Sequence, residues 1–420
     1  MFVSSNRLRG LVVDLDSFPE EFDEMWNQIY TSVSILFLSD NEQRLVTIQQ
    51  ENADFLTHNG TFSGFLTKRK SLVEVHHLLE MESYEVAVLS RNLDILKYIQ
   101  GMNVSTIYFS EENYSKYEEV GNLPDFLVDS IADINQIING DLIGYFSEAA
   151  SMIHNGNNQE FNQGLVIVTA QEYEGKTSTI VSGGRYFSTS DIRYPIHQLS
   201  QRIIRNKDYP DSQVALFSSI FSDLTRFIEA QMEQVDVLTR IPPRPSQQKD
   251  RMIDCVNYVC SEKTHIQNAA RSLTCSREYE SQKFLNQEQR LSNIQGVFEV
   301  TGSFEDKHVV ILDDVISTGS TALEAAKEFY ETGAKRVTIL VLAINQFRNS
   351  MITSHQPLEC QCGGEYKMRF NRNYNTAFFG CSNYPKCDNS SLEFLEVVQK
   401  YNHLNKVDLD REEFEDTEWF

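Results

Sequence analysis

The most constraining stretch of this 420-residue chain is Val309 to Thr321, VVILDDVISTGST. Four apolar residues, Val309, Val310, Ile311 and Leu312, have the length and β-branched content of a buried parallel strand. Two adjacent acids, Asp313 and Asp314, are expected at its carboxyl end. A loop of small residues follows, Ser317-Thr318-Gly319-Ser320-Thr321, and then a helical pattern from Ala322 to Thr332. A strand, a tight loop and a helix N-terminus bring backbone N–H groups and the positive end of the helix dipole to one spot, which suits an anion. The loop has no lysine, so it is not the lysine-containing phosphate loop of nucleotide hydrolases. Carboxylates beside a bound phosphate repel it unless they address hydroxyls, or a metal, on the same ligand. A sugar phosphate with vicinal hydroxyls meets that demand.

The segment resembles the 5-phosphoribosyl-1-diphosphate (PRPP) loop of type I phosphoribosyltransferases. The resemblance implies that Asp313 and Asp314 face the ribose hydroxyls and that Ser317 to Thr321 wrap the 5-phosphate. Upstream, Arg277 to Phe298 resembles the ComF branch of these proteins through Gln282, Leu285, Arg290, Asn293 and Phe298. It implies a flap over the site, although the segment is also a fair amphipathic helix, with Phe284 and Leu291 on one face. The chain departs from this branch around Gln247 to Met252, where QQKDRM replaces a glycine-containing stretch. Just before it, Arg240-Ile241-Pro242-Pro243-Arg244-Pro245 places two planar charges on a proline-stiffened turn. Arg240 and Arg244 suit a diphosphate clamp; a proline-rich connector with solvated arginines is the alternative. In transferase relatives magnesium bridges the ribose hydroxyls and the leaving diphosphate, and an incoming base replaces the latter. No residue here announces that base.

Near the start, Leu11-Val12-Val13 runs into Asp14-Leu15-Asp16-Ser17, an apolar strand ending in two acids that can reach one reaction centre with a cation between them. Strands at Ser34 to Leu38, Val86 to Leu89 and Ser105 to Phe109 alternate with amphipathic stretches such as Ser71 to Leu79 and Leu93 to Ile99, which implies a doubly wound α/β sheet. This pattern resembles the haloacid dehalogenase-like (HAD) phosphatases. The resemblance implies catalytic roles for Asp14 and Asp16, Ser39, either Lys68 or Lys70, and Asp94 around a magnesium ion. Ser90 stands where another acid is expected, and the short gap from Asp14 to Ser39 leaves no room for a large cap. An active phosphatase and a retired one kept as scaffold both fit this set.

Toward the C-terminus, Cys360 and Cys362 precede Cys381 and Cys387, the donor set of a structural zinc site. The segment resembles the zinc ribbons of bacterial type I topoisomerases, with C-x-C where those carry C-x-x-C in the first pair. Lys367, Arg369, Arg372 and Lys386 interleave with aromatics, a pattern suited to single-stranded nucleic acid.

The net charge of −23, from 37 basic and 60 acidic residues, argues against a broad nucleic-acid surface but allows a local basic module. No apolar run approaches a membrane span, and no signal-peptide core opens the chain, so a cytoplasmic protein is expected. The expected organisation is an α/β chain with two doubly wound parallel-sheet domains and a small ribbon: residues 1–138 HAD-like, 139–348 phosphoribosyltransferase-like, 349–403 the ribbon with a closing helix, and 404–420 an acidic tail. The expected function is a PRPP- or ribose 5-phosphate-binding, phosphoribosyltransferase-like enzyme of nucleotide or nucleic-acid metabolism, coupled to a phosphatase step where the HAD-like site is active. The alternative is a non-catalytic nucleotide sensor that binds nucleic acid in competence, repair or phage defence.

Overall fold

The computed structural model describes residues 8–29, 33–51, 61–63, 85–100, 104–110, 121–139, 144–152, 164–189, 191, 193–194, 197–247, 249–279, 293–346, 360–364, 366–371 and 376–387. Lys68, Lys70, the stretch 71–79, the flap residues Gln282, Leu285 and Arg290, Arg372 and the acidic tail lie outside these residues.

In the first unit, largely apolar runs form strands, most of them buried on both faces, as a parallel sheet covered by helices requires. The strands are β1 (Gly10–Asp14), β2 (Ser34–Ser39), β3 (Thr61–Ser63), β4 (Val86–Ser90), β5 (Ser105–Phe109) and β6 (Phe126–Val128). They pair in parallel in the order β3-β2-β1-β4-β5-β6. Helices α1 (Glu42–Glu51), α2 (Leu93–Gln100) and α3 (Ile131–Asn139) accompany them. α3 buries Ile131, Ile134, Ile137 and Ile138, one stripe at helical spacing. The strand order reverses between β1 and β4, so a crevice opens beyond their carboxyl ends. The short gap after Asp14 folds as a 3-10 segment, Glu20–Gln28, whose buried Trp26 packs edge-on against Phe18 and Phe37. Arg44 holds that segment down through Asp23 (2.6 Å) and the carbonyls of Leu15 and Phe18.

The second unit opens with α4 (Phe146–Met152) and the strands β7 (Ile167–Tyr173), β8 (Lys176–Ser182) and β9 (Arg185–Tyr186). Two helices follow, α5 (Gln198–Asp208) and α6 (Val214–Gln231), then β10 (Val237–Arg240) and α7 (Ile253–Glu262). The chain continues through β11 (Gln267–Asn268), β12 (Leu273–Cys275), β13 (Phe298–Val300), β14 (His308–Ile316), α8 (Ser320–Glu331) and β15 (Arg336–Asn345). The main sheet runs β11-β10-β14-β15-β8-β7, parallel except for the β7–β8 hairpin, with β9 also beside β15. On α6, Phe217, Ile220, Phe221, Leu224 and Ile228 face the core at spacings of three and four. The fold is therefore α/β with two parallel-sheet units.

One expectation is corrected. The strand does not stop at the acids: β14 continues through Asp313 and Asp314 to Ile316, because β15 offers pairing partners as far as Ile344.

The two units share a core. Leu123 and Leu127 pack with Ile167, Ile180, Ile316, Ile339 and Val341. Beside this cluster the buried Arg185 joins both units. Its guanidinium donates to Asp125 (2.7 Å) before β6 and to both oxygens of Glu148 (2.9 and 3.0 Å) on α4, and it stacks over the Tyr145 ring. Gln346 adds a bond from the Leu123 N–H (2.8 Å).

A separate antiparallel hairpin, β16 (Tyr366–Asn371) and β17 (Thr376–Cys381), carries the cysteines at its base. Among the described residues, no helix is long and apolar enough to cross a membrane.

Candidate functional site

A cavity of about 330 Å³ lies beyond the carboxyl ends of β10 and β14. Asp313, Asp314 and all five loop residues, Ser317 to Thr321, line it together with Arg244. Gly319 precedes α8 with φ +80°, a conformation that side chains resist, and its carbonyl accepts the first helical bond from Leu323 N–H (2.8 Å). A Cβ at Gly319 would also meet Gln171 Oε1, the movable end of a side chain, so the positive φ is what calls for glycine here. Thr318 and Ser320 share a hydroxyl–hydroxyl bond of 3.0 Å within it.

The acids differ in environment. Asp314 is buried and pairs with Arg251 Nη1 at 3.0 Å. Asp313 is part-exposed at the cavity wall, and burial together with the neighbouring Asp314 charge pushes its carboxyl up to about 7. Asp313 is thus held toward its protonated form, in which it can donate a hydrogen bond to a ligand oxygen. Lys207, Lys249 and Arg251 join Arg244 in the lining, so cations face the loop across the cavity. Tyr279 packs beneath the Arg244 guanidinium (5.4 Å) and accepts from it through its carbonyl (3.1 Å).

Arg240, expected to clamp diphosphate with Arg244, does not line the cavity. Its guanidinium is buried and spent on Asp250 (2.6 and 2.8 Å) and the Leu273 carbonyl (3.1 Å). Asp250 in turn caps α7 by accepting from the Met252 and Ile253 N–H groups (3.2 and 3.0 Å). Arg240 therefore fixes the turn that presents its neighbours. Sequence reasoning passed over Lys207, Lys249 and Arg251; only the basic pair flanking Asp250 in QQKDRM hinted at two of them.

A resident magnesium ion does not fit the β14 acids as arranged. Asp313 Oδ1 accepts from Asp314 N–H (2.8 Å), Asp314 Oδ1 from Val315 N–H (2.8 Å) and Asp314 Oδ2 from Arg251. The decisive donor is Arg251, because a fixed cation already stands at Asp314 Oδ2, where a metal ion would bind.

In the first unit a crevice of about 430 Å³ lies at the switch point, lined by Asp14, Asp16, Ser17, Arg91, Asn92, Leu93 and Tyr108. Ser90 donates to Asp14 Oδ2 at 2.6 Å, so a hydroxyl stands where an acid ahead of Asp94 was expected. Ser39 donates to Asp16, which also accepts from Asp40 N–H (3.0 Å). Asp94 lies outside the crevice lining: it is exposed on α2, 3.7 Å from Lys97.

The four cysteine sulfurs of the ribbon lie within 4.8 Å of one another, with Cys360–Cys387 at 3.6 Å and Cys362–Cys381 at 3.4 Å. This cluster can hold a metal ion. Gly364 is required at the knuckle, since a Cβ there would meet Cys381 Sγ at 2.9 Å and Asn383 Nδ2 at 2.8 Å. The C-x-C spacing closes through ordinary turn bonds, Cys360 N–H to Gly364 O (2.7 Å) and Gly363 N–H to Cys360 O (2.8 Å).

With the acids and loop in place, comparison with known proteins is informative. Residues 266–355 match the phosphoribosyl transferase domain family. The chain is phosphoribosyltransferase-like over that stretch. Across 78 residues it is 33% identical to the DNA utilization protein YhgH of Escherichia coli O157:H7 and of Escherichia coli strain K12, covering 19% of this chain. The match spans only 34% of the length of these relatives. Among solved structures, the purine phosphoribosyltransferase of Pyrococcus horikoshii Ot3 aligns with 32% of this chain and 83% of its own, at 20% identity and TM-score 0.21. The UMP synthase of Leishmania donovani aligns with 81% and 87%, at 9% identity and TM-score 0.23.

Proposed function

We propose that the β14 cavity binds a ribose 5-phosphate ester, PRPP or a nucleotide, in a protein of nucleotide or nucleic-acid metabolism. One observation carries this: the acids and every loop residue from Ser317 to Thr321 line a single cavity. The loop at the N-terminus of α8 would hold the phosphate. Asp313 would address the ribose hydroxyls, and Arg244, with Lys207 and Lys249 in the same lining, the anionic end of the ligand. The flanking modules would be an HAD-like unit over residues 1–138 and a zinc ribbon over 349–403, with the transferase-like unit between them.

Titration calorimetry on the full chain tests this. PRPP or ribose 5-phosphate is expected to bind, and Asp313→Ala to weaken that binding by about tenfold, or roughly 1.4 kcal/mol. Absence of binding at millimolar ligand would refute the assignment. Diphosphate release from PRPP with candidate bases separates catalysis from sensing.

The second possibility is a non-catalytic nucleotide sensor that also engages nucleic acid. The pairing of Asp314 with Arg251 favours it, and so does the DNA-utilization name of the curated relatives. Salt-dependent binding of single-stranded DNA by the full chain, lost on charge reversal of Lys386, is its expected signature.

In the first unit, Asp14 and Asp16 offer two carboxylates to a magnesium ion, and Ser90 offers a hydroxyl already donated to Asp14. Ser90→Asp would bury a second carboxylate against Asp14. Its expected effect is a loss of about 1–3 kcal/mol without divalent ions, recovered on adding magnesium. Thermal melting with and without magnesium measures it, and equal melting in both would argue against a cation site.

A further inference from the structure

We infer that Arg251 is the built-in counter-cation of the acid pair, so that a ribose phosphate ester binds the β14 cavity without a divalent metal. This rests on the ribose-phosphate assignment above. The acid pair creates an electrostatic problem for any phosphate ligand, because two carboxylates stand at the mouth of the anion loop. A dissociable cation is one solution. Here the protein supplies another: Arg251 Nη1 lies 3.0 Å from Asp314 Oδ2 and lines the same cavity. A guanidinium stays charged at every physiological pH and cannot be chelated away.

Arg251 is also fixed in place. The preceding Asp250 is bound by Arg240, and the same carboxylate caps α7 immediately after Arg251. The backbone is thus held on both sides, while the side chain, 30% exposed, keeps room to share its remaining N–H donors with ligand oxygens. A divalent ion at Asp314 would have to displace this guanidinium and would then sit beside it, an unfavourable juxtaposition. Arg251 lies outside the matched segment 266–355, so the counter-charge is contributed by a separate part of the chain.

The test is calorimetric titration of the full chain with ribose 5-phosphate, once in EDTA and once in excess magnesium chloride. The unmodified chain should show dissociation constants agreeing within about threefold in the two conditions. Arg251→Gln should lose about tenfold or more in EDTA and recover most of it in magnesium, whereas Arg251→Lys should keep metal-free binding. Melting curves establish that each variant is folded. Binding by the unmodified chain only in magnesium, or Arg251→Gln matching it in EDTA, would overturn the inference. Failure to bind in either condition would remove the ribose-phosphate assignment itself, and the inference with it. If Arg251→Gln does not fold, the two titrations of the unmodified chain decide.

Discussion

Arg185→Met is expected to destabilise the protein by about 3–5 kcal/mol and to change the sign of its response to acid. The guanidinium is buried between Asp125 of the first unit and Glu148 of the second. Methionine would fill much of the volume but leave two buried carboxylates without the guanidinium they share, Glu148 keeping only the His197 ring at 3.3 Å as a basic partner among the described residues. In the native protein burial alone would raise the Glu148 carboxyl, but Arg185 and His197 outweigh it and hold it at about 2, against an ordinary value of 4.5. A carboxyl depressed in this way contributes stability that is fully present above 4.5 and is lost as the pH falls toward about 2. Without Arg185 the largest opposing charge is gone, and His197 with the remaining backbone donor only partly offsets burial, so the carboxyls rise and the variant's deficit is greatest at neutral pH. Acid then relieves the deficit by neutralising them. Urea unfolding of both proteins from about pH 7 to about pH 3 measures this. A loss below about 1 kcal/mol, unchanged with pH, would mean that Arg185 is no more than a surface-like ion pair. Because Arg185 ties Asp125 to Glu148, the variant is also expected to uncouple the two units into separate unfolding transitions.

Removal of any metal ion held by the four cysteines is expected to unfold the ribbon and leave the two large units folded. Four sulfurs within 4.8 Å match the thiolate tetrahedron of a structural site, in which Zn–S bonds of about 2.3 Å put the sulfurs about 3.8 Å apart. Donors to sulfur are in place: Asn383 N–H reaches Cys381 Sγ at 3.3 Å, and the Gly364 N–H, with Cys381 and Asn383, pushes the Cys362 thiol down to about 6. A lone hairpin of two six-residue strands is marginally stable at best, so binding energy on the order of 10 kcal/mol from the metal would be its folding energy. Elemental analysis should give one zinc per chain. Hydrogen exchange across residues 360–387 should accelerate on chelation or in Cys381→Ser, while β14 and β15 keep their protection. A metal-free protein with an equally protected hairpin would contradict this account.

Much of this was legible in the residues. The continuous apolar run at 86–89 became a strand buried on both faces because nothing in it alternates, and 105–109 is buried apart from Tyr108 even though it opens with the polar Ser105 and Thr106. The second strand of the β7–β8 hairpin was not anticipated: KTSTIVS begins polar, and its turn, Glu174-Gly175, shows its two positive φ values only once folded. Arg240 and Arg244 look equivalent on their proline turn. Which of them faces the cavity was decided by Asp250, which captures Arg240. Likewise, Asp94 sits at the expected spacing but on the exposed side of α2.

By itself the sequence determined the alternation of strands and helices, the phosphate-type loop with its acids, and the cysteine set, because each is built from neighbours a few residues apart. The tertiary structure decided where the charges go. Arg251 and Asp314 are separated by 63 positions and Arg185 and Asp125 by 60. A charge becomes a clamp, a counter-ion or a buried tie only through partners that chain folding delivers, since Coulomb interactions depend on distance in space and burial, not on spacing along the chain.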